Sequence, residues 1–380
     1  MDAHRKRLFA VVLAGFCAFL DLYAPQPMLP MLARVFGTTA AGASLLVSVS
    51  TLAVALAAPF VGFVADRFGR KQVIVPATVL VAVPTLLAAT ATNLDQLLFW
   101  RTLQGVFTPG IFAVTVAYIN EEWKQATGAA MAAYVTGTVL GGFTGRMLAA
   151  VVSMRWSWQL AFLLLGVLNL AGAAAIHLWL PPGRRFVAPR HSNAVQVARH
   201  LRNPRLLATY CAGFCVLFTM VAMFTYVNFH LARAPFLLNT AQLGLVFGVY
   251  LVGAAVTPAA GRWIDRLGHR RSLAYALSVG LAGSALTLLP SLLAVMAGLT
   301  FCCTGVFAAQ SAASSYVGKV AFEGKGVAVG LYVMFYYAGG SAGAALPGAL
   351  WHWGGWTACV ALIAAVQLIT MGVALRYWDA

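Results

Sequence analysis

Of the nine acidic residues in this 380-residue chain, Asp21 alone falls deep inside a long apolar run. A carboxylate there is expensive unless it is paired, hydrated or protonated. A carboxyl that alternates among those states can carry a proton. Counted from Leu8, Asp21 lies about thirteen residues, or ~20 Å, along a helix. Two arginines, one on each of two consecutive spans, reach a similar depth from opposite directions. Arg101 sits in Leu98-Phe99-Trp100-Arg101-Thr102-Leu103-Gln104-Gly105, and Arg146 closes a glycine-rich stretch that holds Gly137, Gly141, Gly142 and Gly145. Either is a possible charge partner for Asp21. The competing readings are that Arg101 snorkels to an interface, or that an Asp21–arginine pair only fixes helix packing.

The elements that must position these groups are membrane helices. Hydrophobic residues make up 61% of the chain and charged residues 9%, against roughly a quarter charged in soluble proteins. Apolar runs of about 20 residues, enough to cross a bilayer, follow one another almost without a break. They are placed at 8–32, 42–64, 72–91, 94–119, 125–150, 156–180, 205–231, 239–263, 271–290, 292–317, 325–348 and 355–377. The first run is too long for a signal peptide, contains Asp21 and has no clean cleavage site. The fold class expected is an all-α integral membrane protein with twelve transmembrane helices.

The formal charge of +16 follows from basic residues clustered in short loops, with no aromatic-interleaved basic face. It reflects the positive-inside rule rather than nucleic-acid binding. With the N-terminus cytoplasmic, about twenty Lys and Arg fall on the cytoplasmic side, against Arg34, Arg155 and Arg233 on the other. Both termini are therefore expected in the cytoplasm. The remaining acidic residues are Asp2, Asp66, Glu121, Glu122, Asp265, Glu323 and Asp379 on the cytoplasmic side and Asp95 at the opposite edge. The six cysteines lie in apolar spans without zinc spacing, and no phosphate loop or His/Asp-rich metal motif is present. Neither an enzyme, a metal nor a cofactor is expected.

The longest connection, 181–204, divides the chain into an N-terminal six-helix bundle, 1–180, and a C-terminal one, 205–380. Gly62, Asp66, Arg67, Gly69, Arg70 and Lys71, between the second and third helices, are echoed by Gly261, Asp265, Arg266, Gly268, His269 and Arg270. A second echo, Gly105-Val106-Phe107 against Gly305-Val306-Phe307, falls in the fourth helix of each half. Two matches in one register indicate a duplicated, pseudo-symmetric architecture. In the first loop Gly62 is expected to permit close helix approach, Gly69 a tight turn, and Asp66 a contact with basic side chains or a helix N-terminus.

These residues resemble the major facilitator superfamily over essentially the whole chain. The resemblance implies two six-helix bundles around a central cavity, with alternating access. It also implies that the loop motif, Asp66 above all, latches one conformation, and that the looser second copy latches more weakly or with a pH dependence through His269. The stretch from Leu98 to Gly105 is similar to the helix-4 signature of the drug:proton antiporter branch, in which the arginine takes part in proton coupling. The stretch from Gly137 to Arg146 is similar to the branch's helix-5 signature, except that its proline is missing, and small residues there also suit plain helix packing.

Helices 1, 4, 7 and 10 line the cavity in this family. Tyr23, Gln26, Gln104, Thr108, Tyr226, Asn228 and Gln310 are accordingly candidate contacts, with Tyr118 nearer the cytoplasmic mouth. The function implied is proton-coupled efflux of small lipophilic, neutral or cationic compounds across the inner membrane, by a protein working as a monomer, with the proton as coupling ion. The alternatives are a proton symporter or uniporter importing a small metabolite, and a membrane sensor.

Overall fold

The computed structural model describes residues 3–123, 127–183, 194–321 and 323–379. Inside a bilayer each apolar run must satisfy its own backbone, and helices do so. Among the described residues, eight helices are long and apolar enough to cross a membrane. They include α2 (Ala40–Phe68), α3 (Arg70–Ala88), α4 (Leu94–Glu122), α5 (Thr127–Arg155), α6 (Trp158–Trp179) and α7 (Pro204–Leu231). α1 (Ala3–Leu20) precedes them. The helix Val249–Leu286 turns at Gly268, φ 77°, which divides it into α8 (249–267) and α9 (270–286). α10 is Leu292–Val320. The 53-residue helix Lys325–Tyr377 is interrupted at Gly354 and Gly355, giving α11 (325–353) and α12 (356–377). These segments account for the twelve expected spans.

The first span departs from the expected 8–32. α1 stops at Leu20, residues 21–25 form turns, and a 3-10 turn (Gln26–Met28) leads into a short helix, Leu29–Val35. Pro25, Pro27 and Pro30 lack an N–H and disfavour helical backbone in the residue before them. The eighth span is likewise split, Thr240–Val246 preceding the helix that starts at Val249. Of the connection 181–204, residues 184–193 lie outside the described residues, with Arg184, Arg185 and Arg190 among them; so does Lys124. The remainder carries an amphipathic helix, Ala194–Arg202.

The chain forms two compact units. One comprises Met1–Gly37, Val49–Arg190 and Asn239–Phe247; the other comprises Thr38–Ser48, His191–Leu238 and Gly248–Ala380. In the first, α1 and α5 meet along a glycine seam. A Cβ at Gly137, Gly141 or Gly145 would strike the backbone carbonyls of Val12, Phe16 and Leu20 in turn. In the second, Gly339 and Gly343 of α11 face the carbonyls of Phe214 and Phe218 of α7 in the same way. Small residues let helix backbones approach this closely. The glycine seam is therefore a property of both halves, although only the first was marked by the sequence. Gly105 and Gly305, which echo one another in sequence, pack differently. Gly105 meets Ser50 of α2, whereas Gly305 meets Ala276 of α9.

Candidate functional site

The break after α1 leaves main-chain carbonyls without helical N–H partners in the middle of a membrane segment. The guanidinium of Arg101, fully buried on α4, closes it. One terminal nitrogen donates to the carbonyl of Asp21 at 2.9 Å and to Gln104 Oε1. The other donates to the carbonyl of Leu22 and, at 2.9 Å, to Ser50 Oγ of α2. Arg101 thus meets Asp21 through the main chain, and it is buried rather than snorkelling.

The carboxylate of Asp21 takes its hydrogen bonds from neutral side chains. Oδ2 accepts from Thr85 Oγ1 of α3 at 2.8 Å and from Asn169 Nδ2 of α6. Among the described residues Oδ1 has no hydrogen-bond partner, nor does Oδ1 of Asn169. Thr85 is a junction. Its hydroxyl oxygen accepts from Gln104 Nε2 at 2.8 Å, and its single proton has two acceptors in reach, Asp21 Oδ2 and the Val81 carbonyl at 2.7 Å. All these groups are buried. The sequence did not mark Thr85, Asn169 or Ser50. Thr85 and Asn169 are lone polar residues in apolar runs and Ser50 is one of a small Ser48-Ser50-Thr51 group; only the packing of α1, α2, α3, α4 and α6 gathers them.

Arg146 lies beside this network and engages other partners. Its Nε donates to Gln26 Oε1 at 2.9 Å and one terminal nitrogen to the Gly142 carbonyl at 2.7 Å. Its guanidinium also rests against the rings of Tyr23 and Phe247, 5.0 and 4.9 Å from their centroids. Tyr23 and Gln26 are thereby brought together around Arg146, with Phe247, which the sequence did not mark.

The other cavity candidates are engaged inside their units. Thr108 donates back to the Gln104 carbonyl at 2.6 Å. Tyr226 donates to the Ala344 carbonyl at 2.7 Å and lies 2.9 Å from Ser44 Oγ. Asn228 donates to the Phe224 carbonyl, its Oδ1 being without a hydrogen-bond partner among the described residues. Gln310 accepts from Tyr332 at 2.8 Å. Tyr118 donates to the Pro181 carbonyl at 2.9 Å, and Arg7 stacks on both its ring and that of Trp123.

The loop motif is a charge cluster. Arg70 bonds Asp66 at 2.7 Å across the Gly69 turn, φ 92°, and Glu121 at the end of α4 at 2.6 Å. Lys71 donates to the His177 carbonyl at 2.7 Å. Glu121 is the partner that the sequence did not mark. Gly62 does not serve close packing, since a Cβ there would meet nothing within 4 Å. In the second copy, Asp265 and Arg266 are exposed and form no ion pair among the described residues. Burial, then Lys319, lowers the proton affinity of His269 against the opposing pull of Asp265. At the position of Arg70 the second turn thus carries an imidazole whose burial disfavours the cation, in place of a permanent charge.

Replacing Arg70 by alanine is expected to destabilise the protein by about 2 kcal/mol, since two carboxylates lose charge-assisted hydrogen bonds. Lysine, which keeps the charge but not the fork, should restore only part of the loss. Thermal unfolding in detergent measures both. A midpoint unchanged in Arg70→Ala would mean that the Gly69 turn holds this end by itself.

The model of the Major Facilitator Superfamily matches residues 11–237. The chain belongs to this superfamily. It is 34% identical to the inner membrane transport protein YnfM of Escherichia coli (strain K12), over 97% of this chain and 89% of that one. It is 32% identical to the MFS-type transporter YybF of Bacillus subtilis (strain 168), over 97% and 92%. The solved structure of the nucleoside transporter NupG superposes with a TM-score of 0.81 at 12% identity, covering 98% of this chain and all of that one; at such identity the likeness is one of fold. This superfamily member is a multi-pass membrane transporter of small molecules, and not an enzyme.

Proposed function

We propose that this transporter exports small lipophilic, neutral or cationic compounds in exchange for protons, with Asp21 as the proton-carrying group. The observation that carries the reading is the Thr85 junction. When Asp21 is ionised, Thr85 donates to its Oδ2. When that oxygen is protonated, it donates to Thr85, whose own proton turns to the Val81 carbonyl. Both protonation states are then hydrogen-bonded without moving a helix, as a cycling carrier needs. Asp21 is also the most deeply buried acidic residue among the described residues. Its neighbours Arg101, Gln104 and Gly105 form the segment that resembles the antiporter helix-4 signature, and this likeness supports export over import.

Arg101 acts in this scheme as a positioning residue, holding the backbone from which the carboxyl projects. Its charge nearby helps offset that of the ionised form. By the distribution of basic residues both termini face the cytoplasm. The inner membrane is the location given by YnfM's name.

The test is transport in inside-out vesicles under an imposed proton gradient, with a panel of lipophilic cations and neutral drugs, for the parent and Asp21→Asn. Substrate-induced proton movement in the parent that vanishes in the variant is the expected result. Equal transport by both proteins would make Asp21 structural. A parent that moves nothing on the panel would shift the reading to metabolite import or sensing.

A further inference from the structure

The second unit has a feature that transport by way of Asp21 does not use. α8, α9 and α10 frame an apolar groove of about 350 Å³. Val256, Trp263 and Leu267 of α8 form one wall, and Tyr275 and Val279 of α9 the other. Trp263 and Tyr275 are each more than half exposed, a large aromatic outlay on a membrane protein's outer face.

The depth of the groove matches one leaflet. From the turn at Gly268, Trp263 and Tyr275 lie roughly 7–10 Å along their helices, and Val256 and Val279 roughly 16–18 Å, at 1.5 Å per residue. Half of the ~30 Å hydrocarbon core is comparable. Aromatic rings thus stand near the interface and aliphatic side chains near the midplane.

The interfacial end is cationic. Arg262, Arg266, Arg270 and Arg271 surround the turn, with Asp265 opposing them and Lys319 nearby on α10. Arg271 is exposed and stands one and two helical turns from Tyr275 and Val279, on the same face of α9. It makes no ion pair among the described residues. Ser272, which also lines the groove, has a hydroxyl without a hydrogen-bond partner among the described residues. A buried polar group left unmet in this way is one that a bound molecule at the groove can satisfy.

We infer that this groove is a binding site for an anionic phospholipid, with one acyl chain lying along Val256, Trp263 and Val279 and the headgroup phosphate held by Arg271 and Ser272. The sign of the charge selects the headgroup. The leaflet-deep apolar trough, open to the bilayer, selects a lipid over a water-soluble phosphate.

Trp263 is a built-in reporter. The full-length protein, reconstituted in phosphatidylcholine, is given a small fraction of acyl-brominated phosphatidylglycerol or, separately, acyl-brominated phosphatidylcholine. The quenching owed to Trp263 is the difference between the parent and Trp263→Phe. Brominated phosphatidylglycerol is expected to quench it several-fold more strongly. Arg271→Gln should cut that preference by about fivefold, the contribution of one basic residue at an anionic surface. Ser272→Ala, which leaves every charge in place, should reduce it by a smaller factor.

Equal quenching by the two lipids would overturn the site, leaving ordinary solvating lipid in the groove. A preference that survives both Arg271→Gln and Ser272→Ala would overturn it too, by placing the headgroup elsewhere on the loop. Absence of quenching by either lipid would mean that protein, such as a second copy, covers the groove.

Discussion

Arg101→Ala is expected to destabilise the protein by about 3–5 kcal/mol, the loss typical when one member of a buried, charged hydrogen-bonded set is removed. The carbonyls of Asp21 and Leu22, Ser50 Oγ and Gln104 Oε1 all accept hydrogen bonds from this one guanidinium. The Asp21 carbonyl keeps a turn bond from Ala24 N–H at 3.2 Å, but within a bilayer no water replaces the lost guanidinium bonds. Arg101→Lys keeps the charge and loses the fork that reaches two carbonyls and two side chains together. It should recover less than half of the loss. Unfolding of the purified protein by heat or denaturing detergent measures both variants. If Arg101→Ala melts with the parent, the break after α1 is held by some other contact, and Arg101 is free for a purely electrostatic role.

Gly145→Val is expected to be comparably severe, at about 3 kcal/mol or more. Overpacking alone costs about 1–3 kcal/mol where side chains can give way. Here the obstacle is the Leu20 carbonyl, which belongs to the backbone and cannot rotate aside. Even the single Cβ of Gly145→Ala would strike it, so alanine should lose much of the same stability. Gly372 of α12 is the internal control. A Cβ there meets nothing within 4 Å, and Gly372→Ala should be neutral or slightly stabilising. The same unfolding measurement ranks the variants. Equal behaviour of Gly145→Ala and Gly372→Ala would mean that α1 and α5 can separate without loss.

The two predictions meet at one place. Gly145 lets α5 reach the carbonyl of Leu20, the last residue of α1, and Arg101 takes up the carbonyls of the next two residues. Asp21 projects from that junction. Its position therefore rests on a glycine and an arginine far apart in sequence.

The amino-acid sequence by itself marked most of the apolar spans, an internal repeat, and Asp21 and Arg101 as ionisable residues within those spans. Those features follow from local rules: the run length that crosses a bilayer, the price of charge within it, and a motif repeated at fixed offset. It also located the Gly69 turn, because a positive φ selects glycine locally. What the tertiary structure decided is who meets whom. Thr85, Asn169 and Ser50 look like ordinary small polar residues of apolar helices until packing points them at one carboxyl and one guanidinium. Glu121 reads as a loop acid until α4 brings it to Arg70. Gly62, by contrast, reads as a packing glycine and faces open space. Helix periodicity sets which face a side chain occupies, but the neighbour across that face is fixed by contacts between distant segments. No local pattern in the chain encodes them.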